Sequence, residues 1–225
     1  AKAKLGESVT LTPTLADGYD LSTVQYAVKY VDALDGDAEK SVDVTVGANG
    51  VGTFTMPRFP ITSIAATAEM TDYDVPAVTL GEGLDSVSIA VDGGAATTAA
   101  TTANYSATLT LTPTVASGYD PAKVTYVVTD ENGDIVPVAY VASVGDPAVT
   151  GAATFTMPNA NIASIEASVD KANYAVTLAG GAHVDAAKLS AQYSTDGTTW
   201  TDIEDGTLVP FEAAVKVAAA ADAFD

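Results

Sequence analysis

The sequence predicts an all-β fold of tandem β-sandwich or β-grasp-like modules strung into an elongated array. Three observations carry this. Alternating Thr- and Val-rich runs recur, as in Glu7–Thr12 (ESVTLT) and Tyr105–Thr112 (YSATLTLT), and such residues suit a pleated, half-buried surface. Turn dipeptides separate the runs roughly every eight to twelve residues, the rhythm of small β domains. No segment sustains a helical period.

The elements follow in order. Gly18-Tyr19-Asp20 recurs as Gly118-Tyr119-Asp120, and Phe54-Thr55-Met56-Pro57 as Phe155-Thr156-Met157-Pro158. After each Gly-Tyr-Asp comes an alternating strand, Val24–Val31 or Val124–Asp130. A turn follows, Leu34–Asp37 (LDGD) or Glu131–Asp134 (ENGD). Asp-Gly and Asn-Gly tolerate positive φ, which tight hairpins require. A second strand, the FTMP element and a last strand (Ile61–Met70 or Ile162–Asp170) complete the unit. Its leading half also repeats, with Ser88–Gly93 (SIAVDG) set against Gln192–Gly197 (QYSTDG). The chain therefore reads as the trailing part of a unit (1–73), a complete unit (74–174) and the leading part of a third (175–225). Phe211–Asp225 (FEAAVKVAAAADAFD) matches the start of the unit, which predicts strand for its Ala-rich stretch rather than a short helix.

Composition limits the functions available. Apolar residues make up 48% and charged residues 17%, too apolar for disorder and too interrupted for a membrane span. The net charge is −20, with acids exceeding bases 10 to 5 over 1–73, 11 to 2 over 74–174 and 8 to 2 over 175–225. No basic patch exists for nucleic acid or anionic lipid. There is no cysteine, hence no disulfide, thiol nucleophile or zinc thiolate.

The order "VTLTPT…GYD…hairpin…FTMP…I…A" resembles the internalin-type B-repeat of bacterial surface proteins and its divergent relatives. The resemblance covers Gly6–Met70 and Tyr105–Val169. It departs from the family pattern in its unit length of about a hundred residues, in the early Pro13 and Pro113, and in a last strand without Val-Thr alternation. The resemblance implies a secreted or surface-anchored bacterial protein built of non-enzymatic β modules.

The residues offer little chemistry. His183, the single histidine, sits in a glycine-rich turn with no nucleophile motif around it. Asp32, Asp35, Asp37 and Glu39 cluster on one turn, Asp130, Glu131 and Asp134 on another, and Asp202, Glu204 and Asp205 on a third. Hairpin chemistry accounts for these acids. Calcium is the alternative, with Asp32, Asp35, Asp37, Asp130 and Asp134 as candidate ligands, although none fits the twelve-residue calcium loop. No other cofactor is expected. Trp200, past the Asp196-Gly197 turn, reads as core or interface, with sugar stacking as the alternative. Lys29, Lys123 and Lys171 are where an isopeptide cross-link would be sought.

The expectation is thus a non-enzymatic extracellular structural protein, a subunit of a bacterial surface filament or stalk. Copies of the chain would join head-to-tail, residues 175–225 of one completing residues 1–73 of the next. Glu212, Val215, Val217 and Phe224 would meet Val9 and Leu11 there. No nucleic acid and no membrane insertion enter this reading. The alternatives are an excised piece of a longer array, an adhesin module binding glycan or host protein, and a phage decoration protein.

Overall fold

The computed structural model describes residues 2–141, 150–220 and 223. It is all-β: three single-turn 3-10 helices are the only helical elements among the described residues. The helix that a β-grasp packs on its sheet is therefore not among them, and paired sheets carry the fold. Packing divides the chain into two compact units. The first comprises 1–74, 102–107 and 156–161, the second the remainder.

The first unit is built on β1 (Ser8–Leu11), β2 (Gln25–Asp32), β3 (Ala38–Val42), β4 (Thr45–Val46), β5 (Gly52–Thr55), β6 (Ile61–Thr67) and β7 (Asp72–Val75). The first six form two three-stranded sheets, ordered β1-β5-β4 and β3-β2-β6. The LDGD turn behaves as its chemistry dictates. Asp32 pairs with Ala38 across a five-residue loop in which Gly36 and Asp37 take φ of 62° and 58° and Ala38 N–H closes onto Asp35 C=O at 3.3 Å.

The second unit begins with β8 (Thr79–Leu80) and β9 (Leu84–Val91). After β10 (Thr101–Asn104), which pairs with β7, come β11 (Thr108–Val115), β12 (Thr125–Asp130), β13 (Ile135–Val136), β14 (Ala139–Tyr140), β15 (Ala153–Thr156) and β16 (Ile162–Ser168). The sheets are now four-stranded, β14-β15-β11-β9 and β13-β12-β16-β8. Alternation turns one face of each strand inward, and Ile89, Leu109, Leu111, Val128 and Ile165 are all within 1% of complete burial.

The rest of the second unit holds β17 (Asn173–Val176), β18 (Leu189–Ser194), β19 (Thr201–Ile203), β20 (Thr207–Pro210) and β21 (Ala214–Ala219). They pair as β17-β20 and β19-β18-β21 around a small core of Ala191, Ile203 and Val209. Of the Ala-rich stretch, Ala214–Ala219 is strand, as its alignment requires. One alignment shifts. Val91 lies opposite Leu109, and Tyr193 lies opposite Val215. Ala90, not Ser88, therefore corresponds to Gln192. The Asp196 hairpin is longer than the Asp92 hairpin, so matching the two Asp-Gly pairs misplaces the strand.

The two units differ at their edges in a way that burial records. Ile165 on β16 is fully buried, whereas Ile64 at the matching place on β6 is 50% exposed. Ile165→Ala is expected to cost about 2 to 5 kcal/mol in urea unfolding, and Ile64→Ala about 1 kcal/mol or less in the monomer.

Candidate assembly interface

In the second unit a lid closes the sandwich. β9 runs antiparallel to β11 from Leu109↔Val91 to Val115↔Leu84. β8 runs parallel to β16, with Glu166↔Thr79 and Ala167↔Leu80. Between β8 and β9, Gly81 N–H donates to Ala167 C=O at 2.8 Å, and Ala116 N–H donates to Gly83 C=O at 2.9 Å. Gly83 takes φ 84° and lies so close to the Tyr119 ring that a Cβ would overlap it. The Tyr119 hydroxyl donates to Glu82 at 2.8 Å. That bond, broken if the phenol ionises, raises the Tyr119 pKa.

The first unit has the floor of this arrangement without the lid. β1 and β6 end their sheets, with no strand beyond either among the described residues. Two clefts lie along this side. One, of about 700 Å³, is lined by Leu5, Val9, Phe54, Phe59, Ile64 and, at its rim, Arg58. The other, of about 360 Å³, is lined by Leu11, Leu15, Tyr19, Tyr26 and Ala66. Tyr19 is 41% exposed. Of the two Gly-Tyr-Asp tyrosines, Tyr119 packs against the lid glycine Gly83, while Tyr19 lines an open cleft.

A second lid lies further along the same chain. Ala175–Leu178 repeats Ala77–Leu80 residue for residue, AVTL in both. β18 pairs with β21 as β9 pairs with β11. On β21, Val215 and Val217 match Leu109 and Leu111, yet they are 48% and 61% exposed. Val9 and Leu11 are the matching, half-buried residues of β1. Of the other residues placed at this interface, Phe224 lies outside the described residues. Glu212 is engaged within the chain, paired with Lys171 at 2.8 Å.

Sequence reasoning missed two recurring features here. The start of each module turns on a residue with positive φ: Gly6 at 79°, Ser106 at 66°, Glu212 at 63°. The residue before it is Leu5, Tyr105 or Phe211. Within the first unit Tyr105 packs on Gly18, and within the second Phe211 packs on Gly118, each so closely that a Cβ would collide with the ring. The glycine of each Gly-Tyr-Asp is therefore the seat for an aromatic. Asp20 and Asp120 cap the following 3-10 turns by accepting N–H bonds from Ser22 and Ala122. A third such corner, His183-Val184-Asp185, is hidden because only its aspartate survives. Asp185 caps Ala187 N–H, and His183, exposed, takes φ 64°.

The other candidate residues have local partners. Asp32 and Asp35 both bind the Lys40 ammonium at 2.9 Å, and those two bonds raise the lysine pKa. Asp37 supplies the positive-φ position of its turn. Asp130 is 7% exposed and accepts the N–H groups of Asp134 and Asn132 at 2.9 Å each. These bonds hold its carboxyl below the usual carboxylate range. Among the described residues no three carboxylates or imidazoles converge as metal ligands. The Trp200 ring is half-buried, with the Lys216 ammonium 4.0 Å from its centroid. Lys29 and Lys171 make ion pairs with Glu39 and Glu212.

No protein-family model, curated protein or solved structure matches this chain.

Two outcomes follow. Gly36 has open space around it, so Gly36→Ala carries only left-handed strain, about 1 kcal/mol. Gly118→Ala adds collision with Phe211 and is expected to cost at least about 2 kcal/mol in urea unfolding. Asp130 is depressed in the folded state, so its stabilisation is complete above the unfolded value of about 4 and is lost as pH falls through the folded value. Between pH 6 and pH 3, wild type should therefore lose more unfolding free energy than Asp130→Asn.

Proposed function

We propose that this chain is a non-enzymatic structural subunit that assembles head-to-tail, the β18–β21 half-module of one copy closing the open sandwich of the next. One observation carries the reading: among the described residues no strand covers the edges of β1 and β6 as β9 and β8 cover those of β11 and β16, and a further copy of that lid lies at 175–219. Chemistry supports the fit. Val215 and Val217 would pack into a cleft lined by Phe54 and Ile64, each burial contributing about 1 kcal/mol. Open strand edges would gain partners of the kind that β8 and β9 supply within the second unit. Two cations, Lys2 and Arg58, line the cleft within a segment that is itself net acidic, as is 175–225. A contact between unlike surfaces of identical subunits extends as a line unless its rotation closes a ring. An extracellular setting on a bacterial surface filament or stalk fits this reading and the B-repeat resemblance.

Sedimentation and negative-stain imaging across a concentration series test it. Wild type is expected to form linear polymers that lengthen with concentration. Val215→Lys/Val217→Lys alters two exposed positions, so monomer stability should change by no more than about 1 kcal/mol while polymers disappear. Removal of residues 175–225 should abolish them likewise. Wild type that stays monomeric at high concentration would sink the proposal.

A further inference from the structure

We infer that assembly requires a strand exchange, in which β21 of one copy takes the place of β1 in the next. The inference rests on the head-to-tail reading and adds a step to it. The second unit shows the finished order, β14-β15-β11-β9. Rebuilding that order across two copies gives β4-β5, one strand, then β18. Two strands claim that single place. β1 already pairs with β5, and β21 already pairs with β18. They correspond residue for residue, Val9 and Leu11 with Val215 and Val217, each group entered through a positive-φ corner at Gly6 or Glu212. One of them must leave.

The anchors decide which. β21 makes six cross-strand pairs with β18, whereas β1 makes four with β5. The lead-in to β21 is fixed. Phe211 sits on Gly118 and against Tyr119 and Tyr174, with ring centroids 6.4 and 6.5 Å away. Phe211 N–H donates to Ala172 C=O at 2.8 Å, and Glu212 binds Lys171. The lead-in to β1 has no such seat: Leu5, in the place of Phe211, is 71% exposed. β1 is held on one edge only, its lead-in joined to the end of β5 by Gly6 N–H to Met56 C=O at 3.0 Å and Met56 N–H to Glu7 C=O at 2.9 Å but without a seated ring, and β21 presents a free edge of the same pattern.

Hydrogen exchange on wild-type polymer and monomer, resolved by peptide, reads the exchange directly. In the polymer, Ser8–Leu11 is expected to exchange about tenfold faster or more than in the monomer, while Gly52–Thr55 keeps its protection. Polymer in which both segments stay protected overturns strand exchange and leaves head-to-tail assembly standing. If wild type forms no polymer, both proposals fall together. A lock gives a second reading: Thr10 and Thr53 are exposed and directly opposite, so Thr10→Cys/Thr53→Cys ties β1 to β5 when oxidised. The oxidised variant is expected to stay monomeric and to polymerise on reduction. Polymer from the oxidised form overturns the inference, and hydrogen exchange on wild type decides if the variant misfolds.

Discussion

The pairing of β9 with β11 is the contact on which the closed sandwich depends. It satisfies the backbone edge of β11 and covers the apolar face that β11 presents. Leu109, Leu111 and Ile89 reach full or nearly full burial because that edge is closed. Hydrogen bonding and burial occur together here, since the strand that pairs with β11 also brings Ile89 into the core. The first unit shows the same floor without the cover, and its matching residues sit in open clefts. The contrast lies within one chain, so differences of composition do not explain it.

The modules are linked by a second device, the seating of an aromatic ring on a glycine. Gly18 receives Tyr105 and Gly118 receives Phe211. The absent side chain lets a ring approach the backbone, and the same glycine supplies the left-handed turn that delivers the chain to the capping aspartate. One residue thus performs a packing task and a conformational task, which is why Gly-Tyr-Asp recurs as a block although its tyrosines differ in exposure.

Much of this was legible in the sequence where the cause is local. Asp-Gly and Asn-Gly marked hairpins because positive φ is a property of the residues themselves. The recurrence of FTMP marked a strand end whose Phe is buried, Phe54 and Phe155 alike. What stayed hidden depends on distant partners. The aromatic seat joins residues nearly a hundred positions apart, and nothing near Gly118 announces Phe211. The corner at His183-Val184-Asp185 keeps its geometry with one conserved letter, because an exposed His is tolerated where no ring must dock. Trp200 gave no warning that Lys216 would cover its face, since the two meet only because β19 and β21 pair on opposite sides of β18.

The exact recurrence of Ala-Val-Thr-Leu at 77–80 and 175–178 bears on how the chain reaches its fold. Two identical tetrapeptides can compete for the one open flank of β16, and a chain refolding from denaturant meets both at once. Adjacent repeats that can trade equivalent segments are prone to such misassembly. Synthesis from the N-terminus removes the contest. Ala77–Leu80 is already present when β16 is made, and Ala175–Leu178 has yet to be translated. The order of emergence thus favours the correct partner, so folding during translation should be more faithful than refolding from the complete chain.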